Sequence, residues 1–158
     1  MIESFKLYLE QCNNSGYKEL ADKSYLYIHS SHPDVGWDIP YLIKEFGVGN
    51  KVLLTYRCTK CGHVFPSYFQ DCVTYCRMCG QKSASMPSVN VGVSDKSLVE
   101  IYNLFDVYVQ YANSEGFGMP QVEAAACGVP VFATDYSAMS DVVRKLKGFP
   151  INVQRFYY

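Results

Sequence analysis

DVYVQYANSEGFGMPQVEAAACGVPVFAT, residues 106–134, holds an alternating apolar run, a loop with two glycines, an alanine-rich segment and a second apolar run. Alternation from Asp106 to Tyr111 predicts a strand, QVEAAAC predicts a helix ended by Gly128 and Pro130, and Val131–Thr134 predicts the next strand. Strand, loop, helix and strand make one βαβ unit, and strands joined through helices imply a parallel sheet covered on both faces.

The same alternation extends outward. Ile2, Phe5, Leu9 and Cys12 recur at three and four residues, which predicts an amphipathic helix ending near Gly16. Tyr25–Ser30 reads as a short strand. Asp38 then caps IPYLIKEF, with Pro40 tolerated in the first turn and Gly47 closing it, and KVLLTY (Lys51–Tyr56) is a second strand. Residues 57–90 interrupt the pattern, which resumes with Ser94 capping DKSLVEIYNLF. After Thr134 come a helix, SDVVRKLK, and a short apolar stretch, INV. The expected fold class is α/β, one domain over residues 1–158 with an insertion at 57–90.

The chain's 158 residues are 49% hydrophobic and 18% charged, the balance of one globular domain rather than a disordered or fibrous chain. No apolar run approaches the ~20 residues that span a bilayer, and MIESFKLYLEQCNN carries acids where a secretory signal carries bases, so a cytoplasmic chain is expected. Fourteen Lys and Arg against fifteen Asp and Glu leave a net charge of -1. No global positive field exists to condense on nucleic acid or anionic lipid, and such a role would have to be local. The fourteen Tyr and nine Phe are spread along the chain, as core and rim packing rather than a base-stacking surface.

Four of the seven cysteines form two C-x2-C pairs, Cys58 with Cys61 and Cys76 with Cys79, each followed at once by glycine. Two such turns point four thiolates at one ion and complete a tetrahedral site that Zn2+ fills, so a structural zinc is expected. A redox pair or a disulfide framework competes, but a redox motif needs only one pair beside a helix N-terminus. Cys72 and His63 lie in the same segment without the symmetric turn and read as bystanders. Cys12 and Cys127 read as small buried hydrophobes. Arg57, Lys60, Arg77 and Lys82 alternate with Tyr56, Phe65, Tyr68, Phe69 and Tyr75 in this segment. That pattern fits either a solvated rim or a protein-binding surface. Thiolates around Zn2+ add further negative charge, which disfavours nucleic acid.

Residues 112–119 form the strand-to-helix loop of the βαβ unit, the position at which open parallel sheets bind ligands. Gly116 and Gly118 bracket Phe117 and let the main chain approach a ligand, while Pro120 suits the first turn of a helix whose positive end favours an anion. Glu115 and Glu123 then flank an anion site, a geometry that suits a nucleotide sugar. The alternative is an ordinary loop carboxylate and a first-turn glutamate answering the helix dipole. A dinucleotide-dependent oxidoreductase is set aside because no G-x-G-x-x-G lies between an early strand and a helix.

NSEGFGMPQVEAAACGVPVFATD resembles the E-x7-E segment in the C-terminal domain of retaining nucleotide-sugar glycosyltransferases, the glycosyl transferase group 1 family that includes glycogen- and sucrose-synthase-like enzymes. The resemblance extends upstream through VGVSDKSLVEIYNLFDVYV and more loosely through SYLYIHSSHPDVGWDIPYLIKEFGVGNKVLLTY. It implies a Rossmann-like half of a GT-B fold, with residues 57–90 as a zinc-knuckle insertion. It also implies a nucleotide-sugar donor and an acceptor bound by another domain or a partner chain. Glu115 would lie beside the donor sugar, positioning it and stabilising charge in the transition state. Gly116, Phe117, Gly118 and Met119 would line the sugar and phosphate, and Glu123 would bond the ribose hydroxyls. Leu98 matches a base-proximal leucine, although a leucine at helical spacing is more often core.

Two departures accompany the match. The family places, before its first helix, a strand and a loop whose Arg and Lys neutralise the donor diphosphate, whereas this sequence opens on the helix with Lys6 as its only early base. The sequence also ends at FPINVQRFYY, ahead of the family's closing elements. The expectation is a fragment or degenerate relative with little turnover of its own; the other reading is a zinc-ribbon interaction module on a non-catalytic α/β scaffold.

Overall fold

Short-range signals set most element boundaries. The computed structural model describes residues 1–154, which fall in two compact units, Met1–Val93 and a second that begins at Ser94. Length alone predicts one domain, whereas each unit closes an apolar cluster of its own. Of FPINVQRFYY, residues 155–158 lie outside the described residues.

In the first unit, α1 (Ile2–Asn14) buries Ile2 and Cys12 on the predicted stripe. α2 (Lys18–Lys23) follows; it buries only Ala21 and so has no apolar period for a sequence reading to detect. β1 (Leu26–Ile28) leads to α3 (Ile39–Glu45) and then β2 (Val52–Cys58), with β1 and β2 parallel and Leu26 opposite Val52. Asp38 Oδ1 accepts the Tyr41 amide at 2.9 Å, satisfying a first-turn donor, and Pro40 sits where no amide hydrogen is needed.

The second half of β2 continues into an antiparallel arrangement. β3 (Val64–Ser67) pairs with Leu54–Arg57. β4 (Thr74–Tyr75) pairs with β5 (Lys82–Ser85), which pairs with Arg57 and Cys58. Residues 57–90 are thus stitched to the parallel strands through one continuous strand. Ile43, Val52 and Leu54 share a single buried cluster with Phe65, Cys76 and Ala84, so this segment contributes to the core it interrupts in sequence.

In the second unit, α4 (Asp95–Tyr102) starts where Ser94 Oγ accepts the Ser97 amide at 3.2 Å. β6 (Tyr108–Gln110), α5 (Met119–Ala126), β7 (Val131–Thr134), α6 (Ala138–Lys145) and β8 (Phe149–Ile151) then alternate. Their strands form a parallel sheet ordered β6-β7-β8, with Tyr108 opposite Val131 and Phe132 opposite Phe149. Val131 and Ala133 of β7 are buried with Ala124 of α5 and with Met139 and Val143 of α6, the apolar faces that hold helices on a sheet. The fold is mixed α/β with parallel pairing in both units, in two sheets rather than one. Among the described residues no helix is long and apolar enough to cross a membrane.

Candidate functional site

The turn between β6 and α5 is built around Gly118, which caps α5 at φ +81° and is buried. A Cβ there would stand 2.5 Å from Gln121 Nε2 and 3.4 Å from Gln110 Nε2. The left-handed backbone favours glycine, and the approach of the buried Gln121 amide adds to that, whereas Gln110 stands at ordinary contact distance. Gly116 is different: a Cβ there meets nothing within 4 Å. Phe117 and Met119, on either side of Gly118, are exposed, at 52% and 55%.

The two amides brace the turn. Gln121 Nε2 donates to the Phe117 carbonyl at 3.3 Å, and Gln110 Nε2 donates to Glu115 Oε1 at 3.3 Å. Both glutamines are buried, and neither Oε1 accepts a hydrogen bond from the described residues. Sequence reasoning missed this pair. The available signal was polarity where the βαβ pattern calls for an apolar strand end and an inward helix position.

Glu123, one turn into α5, accepts from the Tyr102 hydroxyl at 2.8 Å through Oε2. Burial, followed by this bond and the carboxylate's charge, pushes the Tyr102 phenol well above its ordinary range, so Tyr102 remains a donor at neutral pH. Its ring meets Tyr108 edge-on, with centroids 6.0 Å apart. Tyr108 is pushed up to about 12, by burial first and then by the charges of Glu115 and Glu123. Both glutamates thus bear on one tyrosine, and both are half-buried. Leu98 is partly buried and packs against the core of this unit.

In the other unit, the sulfurs of Cys58, Cys61, Cys76 and Cys79 all lie within 4.8 Å of one another. Cys58 and Cys79 approach to 3.7 Å, and Cys61 and Cys76 to 3.6 Å. The spacing works through local geometry: the amides of Lys60 and Cys61 point at Cys58 Sγ, and that of Met78 at Cys76 Sγ. The Ser83 hydroxyl, 3.1 Å away, is the main influence holding the Cys58 thiol down to about 6. For Cys61 the His63 amide acts downward, but burial and the three neighbouring sulfurs together push the thiol up to about 12. Such a cluster can hold a metal ion, with buried Cys58 and Cys76 anchoring it and exposed Cys61 and Cys79 closing it. Cys72 and His63 are not members of the cluster; the His63 ring instead stacks on Phe65, with centroids 5.6 Å apart.

No curated protein and no solved structure matches the chain. A family model described as Glycosyl transferases group 1 matches residues 89–154 and supports a glycosyltransferase function. The match contains the E-x7-E turn and α4 to β8, and it leaves out both the looser upstream resemblance and the four cysteines. Over residues 89–154, where the glutamine-braced turn and both carboxylates lie, this chain is therefore similar to the group 1 glycosyl transferases.

Proposed function

We propose that the second unit binds a nucleotide-sugar donor, as the donor half of a retaining GT-B glycosyltransferase. The observation that carries this reading is geometric: within the residues that match the family, Glu123 is held by the Tyr102 hydroxyl and Glu115 by the Gln110 amide. Tyr102 holds one oxygen of Glu123 and leaves Oε1 to accept from a ribose hydroxyl. Glu115, held by Gln110, stands beside the sugar, where a fixed carboxylate stabilises positive charge developing as the glycosidic bond breaks. Gly116, Phe117, Gly118 and Met119 line the sugar and diphosphate, and the amino end of α5 favours the phosphate charge. A second domain or a partner chain supplies the acceptor site in a GT-B arrangement.

The cysteine cluster is proposed to hold a structural Zn2+. Zinc bonded to four sulfurs at ~2.3 Å separates them by ~3.8 Å, close to the 3.6 and 3.7 Å of the two nearest pairs. With four protein ligands no coordination position remains open for substrate, so the ion's role is to stabilise the fold.

Calorimetry of the full chain with UDP-, GDP- and ADP-sugars tests the donor reading. Micromolar to millimolar affinity for one of them, lost in Glu123→Ala, is the expected result. Absence of affinity for all three would overturn it. One observation favours a second reading, a protein-interaction module: Tyr75 and Met78, beside the cysteine turns, are 65% and 72% exposed. That reading predicts capture of a protein partner that Tyr75→Ala abolishes, with no donor binding.

A further inference from the structure

Ser137 adopts a backbone conformation that side chains avoid. Its φ is +56° and its ψ is -152°, a region occupied almost entirely by glycine. Among the described residues only Lys147 shares a positive φ without being glycine. Lys147 follows α6, where a left-handed residue commonly ends a helix. Ser137 precedes α6, and a serine there ordinarily turns its hydroxyl onto an amide of the first turn. It makes no such cap.

The hydroxyl is used elsewhere. Ser137 Oγ donates to the Glu115 carbonyl at 2.9 Å and accepts from Ser114 Oγ at 3.2 Å. The chain from Ser114 through Ser137 to Glu115 ties the loop after β7 to the turn after β6. Gln110 holds the same residue by its carboxylate. Glu115 is thus gripped at main chain and side chain by two different strand ends. A strained conformation persists only where its surroundings over-determine it, and here the strain and the forfeited cap both serve one contact.

We propose that Ser137 is a positioning residue for Glu115, accepting backbone strain to fix the glutamate where it meets the sugar of the donor rather than the diphosphate. This deepens the donor reading and rests on it.

Two substitutions in the full chain separate strain from positioning, because both remove the hydroxyl and only one removes the Cβ. Ser137→Gly is expected to melt a few degrees above Ser137→Ala, because both lose the hydroxyl and only the glycine relieves the strain. Both should speed amide hydrogen exchange over Glu115–Gly118. Both should weaken nucleotide-sugar affinity about five- to tenfold, the scale of one lost hydrogen bond, and affinity for the nucleoside diphosphate alone by clearly less. A Ser137→Gly melting temperature no higher than that of Ser137→Ala, or wild-type exchange over the turn, would overturn the proposal. An equal loss of nucleoside diphosphate affinity would also sink it, because that marks general damage to the turn. If the wild type binds no nucleotide sugar, the donor reading fails, and hydrogen exchange with the two melting temperatures still decides whether Ser137 positions Glu115.

Discussion

The hydroxyl of Tyr102, at the end of α4, donates to Glu123 Oε2 on α5 across 2.8 Å. One buried phenol therefore sets the orientation of a carboxylate that sequence spacing places near the ligand-binding end of the sheet. Removing the hydroxyl while keeping the ring isolates that function. Tyr102→Phe is expected to cost roughly 1–2 kcal/mol of stability, because a half-buried carboxylate loses its donor. The donor affinity measured by calorimetry should fall about tenfold with it. Unchanged affinity in a correctly folded variant would show that Glu123 does not need Tyr102 to bind.

The glycines of the turn should respond differently to the same change. Gly118→Ala must hold an alanine at φ +81° with its Cβ against the buried Gln121 amide, and a loss of roughly 1–3 kcal/mol is expected in denaturant unfolding. Gly116→Ala meets open space and should leave stability within about 0.5 kcal/mol of wild type. Equal losses at both positions would contradict the bracing of the turn by Gln110 and Gln121.

Metal removal should act on the core of the first unit. Elemental analysis is expected to find one zinc per chain, lost in both Cys58→Ser and Cys61→Ser. Cys58 is buried in the cluster that holds Val52 and Leu54, and Cys61 is exposed. Cys58→Ser should therefore lower the melting temperature further than Cys61→Ser, and chelation should speed exchange along β2 as well as in residues 57–90. Binding also requires thiolates, so metal affinity should fall as pH falls. Exchange changes confined to residues 59–82 would show that the parallel strands stand without the ion.

Acid should weaken the second unit through Asp135. Arg144 donates to Asp135 Oδ1 and Oδ2, each at 2.6 Å, and Ser140 Oγ donates at 2.7 Å. Arg144 first and Ser140 second hold this carboxyl below its ordinary value of 3.8. A carboxyl whose pKa is lower folded than unfolded contributes fully above the unfolded value, and that contribution disappears as pH falls through the folded one. The melting temperature should drop as pH falls below about 4, and Asp135→Asn should flatten that dependence. An identical acid profile in the variant would assign the loss to other groups.

Much of this was legible in the sequence because it depends on residues a few positions apart. A C-x2-C-G turn aims its own amides at its first sulfur, Asp38 and Ser94 cap the helices that begin beside them, and the order strand, turn, helix, strand over residues 106–134 follows from periodicity alone. The misses have physical causes as well. α2 has no apolar stripe, β4 has only two residues, and β5 reads KSAS, so none carries a period to detect.

What the amino-acid order determined by itself was therefore the set of short-range devices: the caps, the cysteine turns, the glycine at the start of α5 and the spacing of the two glutamates. Tertiary structure decided which distant groups those devices meet. Only folding pairs β2 with both a parallel and an antiparallel partner, divides the chain into two units, and brings Tyr102 to Glu123, Gln110 to Glu115 and Ser137 to the Glu115 carbonyl. These contacts form only when helices and strands dock, and residues 5 to 22 positions apart in sequence reveal no such meeting in their spacing.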